Sequence, residues 1–341
     1  MRTLMLLAAA VVGLALAGPA AASPRETAGT LFVTERQLGS LTAFDGATGI
    51  PLWTQPTGLA PIGVTQPRGT HKVYTSDEGS NQMSVFDAGT GASLGTIPMG
   101  PAPHHLIASR NGDRIYVGEF GQNTVGVVDT LTDTEIAHYV ANRLPNARTH
   151  AVWLAGHDLY TTNTRALRTD PGDVGHIDAR SGELLCKTPV GVDPSEILVR
   201  SSGRIGYVSV RGENKIKELD LRDRCPRLTG REAVIGTMPD TLQLTHHTLV
   251  VTLRGTPAQI SLLDTRSFTV QQVSIPGHTT TGHHWLSRTG RFSFVAVENP
   301  AGVAVVDNHT GAVLADYPYP DPPGGNRAHG GFFSPTRWCG W

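Results

Sequence analysis

Histidine supplies 14 of the 341 residues, and five of them, His104, His105, His150, His283 and His329, open a repeating strand. Neutral imidazoles ligate copper, zinc, iron or nickel, and they also serve as general bases near neutral pH. Glu196 and Asp240 occupy the same repeat position and add carboxylates, either as ligands or as hydrogen-bond partners of the rings. Gathered at one point, the set predicts a site for a divalent transition metal, copper or zinc first, or for a small ligand. A polar tunnel whose imidazoles bond to water and carbonyls would use the same residues, and that reading stays open. The sequence holds no H-E-x-x-H, no thiolate metal spacing and no P-loop, so no local motif assembles the site and the fold must do it.

The elements that would position these residues repeat along the chain. From Pro103 the sequence reads as four short strands, HHLIAS, RIYVGE, TVGVVD and EIAHYV, rich in β-branched and aromatic residues and separated by Gly, Asn and Asp turns. The Asp that ends the third strand recurs at Asp45, Asp87, Asp129, Asp178, Asp220, Asp264 and Asp307, at spacings of 42, 42, 49, 42, 44 and 43 residues. A four-stranded unit with a period in the forties predicts a β-propeller, in which neighbouring blades bury one another's faces. Seven anchors predict an all-β, seven-bladed propeller of antiparallel blades. In such a ring the first strand of each blade is innermost, so its opening residues line one mouth of the central channel. These are Ile62 and Gly63, His104 and His105, His150 and Ala151, Ser195 and Glu196, Asp240 and Thr241, Gly282 and His283, and His329 and Gly330.

The second-strand runs LFVTE, VYTSD, IYVGE, LYTTN and GYVSV, the turns SRNG, RSSG and SRTG before them, and the third-strand V-x-V-x-D together resemble the YVTN family of propeller repeats. That family is grouped with the amine dehydrogenase β-chain-like propellers. The resemblance spans nearly all of residues 23–341 and implies the fold without choosing a function, because propellers host enzymes, ligand binders and scaffolds. Three functions compete. One is an exported propeller with a metal or small-ligand site at the channel mouth; the second is a metal-independent enzyme resembling lactonase- or lyase-type propellers, with a His as base; the third is a scaffold that holds a protein partner at a rim.

Residues 1–22 carry Arg2, an apolar run from Leu4 to Ala17, and Ala20 and Ala22 before Ser23. This reads as a cleaved secretory signal followed by one domain over 23–341, secreted or periplasmic, with no membrane span. A net charge of −1 with both signs interspersed argues against a nucleic-acid partner. The chain opens on a second strand, TLFVTE, and AHGGFFS at Ala328 reads as the missing first strand that closes the ring. Cys186 and Cys225 fall at the outer edges of adjacent blades, where a disulfide is open to them, and Cys339 stands alone in the tail.

Two further sets sit near the same mouth. Glu35, Asp77, Glu119, Asn163 and Glu298 end the second strands; turn chemistry and solvation account for them, or else they supply a base or hold a hard cation. Arg36, Arg165, Arg168, Arg211 and Arg254 follow in the loops, expected as scattered solvated side chains unless several face an anionic ligand. His71, His157, His246, His247 and His309 belong to turns away from the mouth, and His284 should point to the opposite face from His283.

Overall fold

The computed structural model describes residues 24–144, 146–320 and 327–335. Residues 1–22, expected as a secretory signal, and Cys339 with its neighbouring tryptophans lie outside them. Seven four-stranded antiparallel sheets follow one another along the chain. Among the described residues helix is confined to single turns at Pro24–Thr27 and Arg211–Glu213. Among the described residues no helix is long and apolar enough to cross a membrane.

Blade 1 is built from both ends of the sequence. Ala328–Pro335 forms its innermost strand, paired to Gly29–Glu35, with Leu31 opposite Phe333 and Phe32 opposite Phe332. This pairing closes the ring and leaves no open edge between the first and last blades. Blades 2 to 7 open with the strands Pro61–Thr65, Pro103–Ala108, Ala147–Ala155, Pro194–Val199, Pro239–Thr245 and Thr280–Leu286.

Alternation within each strand divides its side chains between two neighbouring blades. In blade 2, Met83 and Val85 pack with Ile115, Val117 and Val128 of blade 3. Phe86, on the other face, packs with Phe32, Leu41 and Ala43 of blade 1. The recurring aspartates end the third strands, and their role is turn closure. Asp45, Asp87, Asp129, Asp178, Asp264 and Asp307 each accept backbone N–H groups two and three residues on. At Asp220 the Arg222 side chain bonds first and the Arg222 N–H second, holding its carboxyl down at about 2.

Cys186 and Cys225, on the outer strand of blade 4 and the turn before the outer strand of blade 5, form a disulfide with Cα atoms 5.3 Å apart.

Candidate functional site: a histidine cluster at one channel mouth

Every blade breaks its pairing at the start of the first strand. The register slips between Pro61 and Val64, Pro103 and Leu106, Thr149 and Ala151, Pro194 and Ile197, Pro239 and Leu242, and Thr281 and His284. In blade 1 it slips opposite His329 and Gly330. Such bulges re-aim side chains and free backbone groups from the ladder. Second-strand hydroxyls of neighbouring blades take up the freed carbonyls. Ser76 donates to the His104 carbonyl, Thr162 to that of Ser195 at 2.6 Å, and Ser209 to that of Asp240 at 2.7 Å. The bulges fall at the strand-opening positions that carry the five histidines, Glu196 and Asp240.

The five histidines converge there. His104 and His105 stack with ring centroids 4.8 Å apart, and His150 lies 4.5 Å and 4.9 Å from them. His283 continues the chain of rings 4.6 Å from His105, and His329 follows 4.7 Å beyond. His104, His105 and His150 each present a ring nitrogen within 4.8 Å of the others. All five are buried. His105 Nδ1 meets Glu196 Oε2 at 2.8 Å, and His150 Nδ1 bonds the Ser195 carbonyl at 2.8 Å. By contrast, His104 Nδ1 and His105 Nε2 are buried with no hydrogen-bond partner. Orphaned imidazole nitrogens in such a place are what a ligand or metal would satisfy.

Burial and neighbouring charges favour the neutral form in four of the rings. Burial holds His104, His150, His283 and His329 well below the ordinary histidine range, and Arg211 beside His150 and Arg254 beside His329 add to the effect. Burial also raises Glu196, against the pull of His105. At Asp240 burial works upward too, but the Arg211 and Arg254 charges outweigh it and hold the carboxyl well below its usual range. Asp240 is bonded by Ser195 Oγ at 2.7 Å and by Arg211, so it anchors the wall while Glu196 faces the rings.

The second-strand acids are not the solvated turn residues expected. Glu35, Asp77, Glu119, Asn163 and Glu298 are all buried. Asp77 accepts from Thr75, Ser84 and the Gly58 N–H, and Glu298 pairs with Arg254 at 2.9 Å. The arginines divide likewise. Arg36 and Arg165 pair with Glu78 and Asp173, whereas Arg211 and Arg254 approach His150 and His329 at 3.4 Å and 3.3 Å. Those two belong to the cluster because the wall carboxylates Asp240 and Glu298 draw them inward. His284 turns away, bonding Thr241 Oγ1 at 2.9 Å between blades 6 and 7.

Phe120 was not among the candidates in the sequence, yet its ring lies 5.2 Å from His104 and 5.6 Å from His150. Arg148 and Arg168 cover it at 5.3 Å and 5.9 Å. Its only signal was its place directly after the second-strand acid Glu119. Ser93, inside the run GASLG, is exposed on the outermost strand of blade 2 with no helix after it, so that run is not a catalytic nucleophile turn. A cleft of about 1100 Å³ opens at the opposite end of the channel between Trp153, Leu198, Leu244 and Trp285. Its titratable lining is Arg200, His246 and Arg288, with no cluster comparable to the five histidines.

Fold and site define a seven-bladed β-propeller with a buried histidine cluster at one mouth. The chain belongs to the family described as outer membrane protein assembly factor BamB, whose profile matches residues 10–188. No curated protein matches the sequence. Among solved structures it is similar to the periplasmic gluconolactonase PpgL of Pseudomonas aeruginosa, at 18% identity and a TM-score of 0.69 over 89% of this chain and 98% of that one. It is also similar to the dihydro-heme d1 dehydrogenase NirN in complex with DHE, at 16% identity and 0.63 over 91% and 76%. A functionally unknown protein from Desulfotomaculum acetoxidans aligns at 11% identity and 0.71 over 90% and 99%. At these identities the likeness is one of fold.

Proposed function

We propose that this chain is an exported propeller of the YVTN-repeat type that binds a divalent transition metal, copper or zinc, at the histidine mouth. His104, His105 and His150 hold the ion, Glu196 orients His105, and His283, His329 and Asp240 complete the surrounding wall. The observation that carries the reading is the convergence of three buried imidazoles with His104 Nδ1 and His105 Nε2 buried and unpartnered. Three imidazole donors are the ligand number of a metal site that keeps a position for a water or small molecule. Export of residues 23–341 behind a cleaved 1–22 segment agrees with the Cys186–Cys225 disulfide, since disulfides persist in oxidising compartments. The test is metal content by mass spectrometry of protein recovered from its own compartment. About one copper or zinc per chain is expected for wild type and little for His104→Ala/His150→Ala; equal, negligible metal in both would contradict the reading.

A second reading rests on His105 and Glu196. An imidazole held at Nδ1 by a carboxylate, with Nε2 unpartnered, has the arrangement of a general base. The gluconolactonase PpgL shares the fold. Lactone hydrolysis that survives chelation and is lost in His105→Ala would favour this metal-independent enzyme; no hydrolysis with or without metal would remove it.

A further inference from the structure

A second cluster lies apart from the histidine mouth, where blade 3 faces blade 2. Glu119 ends the second strand of blade 3, and Glu135 and His138 lie on its outermost strand, Thr134–Val140. Their ligand atoms fall within 4.8 Å of one another. Glu119 is fully buried. Its Oε2 is well supplied, accepting from Gln122 Nε2 at 2.9 Å and from Thr124 Oγ1, with His138 Nδ1 at 3.1 Å. Its Oε1 has no partner, and neither does the buried Oε1 of Glu135. Both orphan oxygens converge over Gly126, where an added Cβ would meet Glu135 Oε1 and would lie 3.2 Å from Glu119 Oε1. On the third side, His138 Nε2 lies 3.5 Å from Glu135 Oε2. The His138 ring is about half exposed, so the cluster is open to solvent.

Blade 2 supplies an internal comparison. By strand register Asp77 stands where blade 3 has Glu119, Ser84 where it has Gly126, and Ser93 and Thr96 where it has Glu135 and His138. There the Ser84 hydroxyl donates to the acid at 2.6 Å and completes it. Blade 3 has lost that hydroxyl and gained a carboxylate and an imidazole in its place. The unpartnered oxygens of the two carboxylates face one another beside His138, a place for a cation or a proton.

We infer that Glu119, Glu135 and His138 form a second cation site, for a divalent ion of the Mn(II) class, independent of the histidine mouth. Two carboxylates and one imidazole suit such an ion better than the three-imidazole set does. The Gly126 gap is the cradle that admits it, and His138 is the entry side.

The experiment is titration of chelator-stripped protein with Mn(II), reading the free ion by electron paramagnetic resonance. Wild type and His104→Ala/His150→Ala should each bind about one Mn(II) per chain at this site, and Glu135→Gln should bind at least tenfold more weakly. Gly126→Ser restores the hydroxyl of blade 2 and should abolish binding while circular dichroism shows the fold retained. Undiminished binding in Glu135→Gln and Gly126→Ser, or none in wild type, would overturn the site and leave the two carboxylates sharing a proton.

Discussion

His105 of blade 3 and Glu196 of blade 5 meet with Nδ1 2.8 Å from Oε2, although 91 positions separate them in the sequence and blade 4 lies between them in the ring. A carboxylate at this distance fixes the ring's orientation and raises the basicity of the opposite nitrogen. Glu196→Gln keeps the shape and removes the charge. Copper or zinc affinity at the mouth should fall by about 10–100-fold, read by competition against a chromophoric chelator. Unchanged affinity would place Glu196 outside the metal's support.

The buried histidines set an acid limit on stability. For His104, His150, His283 and His329 the folded-state pKa lies well below the unfolded value. Above the unfolded value of about 6.5 both states are neutral and nothing is lost. As pH falls below it the unfolded chain takes up protons that the folded chain refuses, and stability declines. Each ring contributes a slope of at most about 1.4 kcal/mol per pH unit. Chemical unfolding of metal-free protein between pH 7 and 5 should show this loss, with a shallower slope in His283→Ala. A midpoint that rises on acidification would contradict the assignment.

The Cys186–Cys225 bond closes a loop with a sequence separation of 39, which the chain-entropy account values at about 4 kcal/mol. Reduction should lower the denaturant midpoint of wild type and leave Cys186→Ser/Cys225→Ser unchanged. Free thiols at both positions on non-reducing peptide mapping of exported protein would remove the bond from the account.

The fold was legible because a repeat states its own period. The seven third-strand aspartates are turn residues that every blade needs, and the opening TLFVTE pointed to a strand supplied by the C-terminus. The strand-opening positions were legible for the same reason, and the bulges explain why two consecutive residues, His104 and His105, both reach the axis where strict alternation would send one away. What the repeat could not show was which neighbours converge. Arg211 and Arg254 looked like surface loop residues, yet Asp240 and Glu298, acids from other strands, draw them in. Glu119 looked like a turn residue until Gly126, Glu135 and His138 were seen around it. Phe120 carries no repeat signature, and only the ring geometry brings it to His104.

The most direct test of the histidine mouth is X-ray absorption at the metal edge of protein loaded with one equivalent of zinc or copper, with manganese absent. The account predicts a first shell of nitrogen donors at about 2.0–2.1 Å for zinc, with outer-shell imidazole scattering for three rings that is lost in His104→Ala/His150→Ala. A shell of oxygen donors alone, or a spectrum unchanged by that substitution, would contradict it.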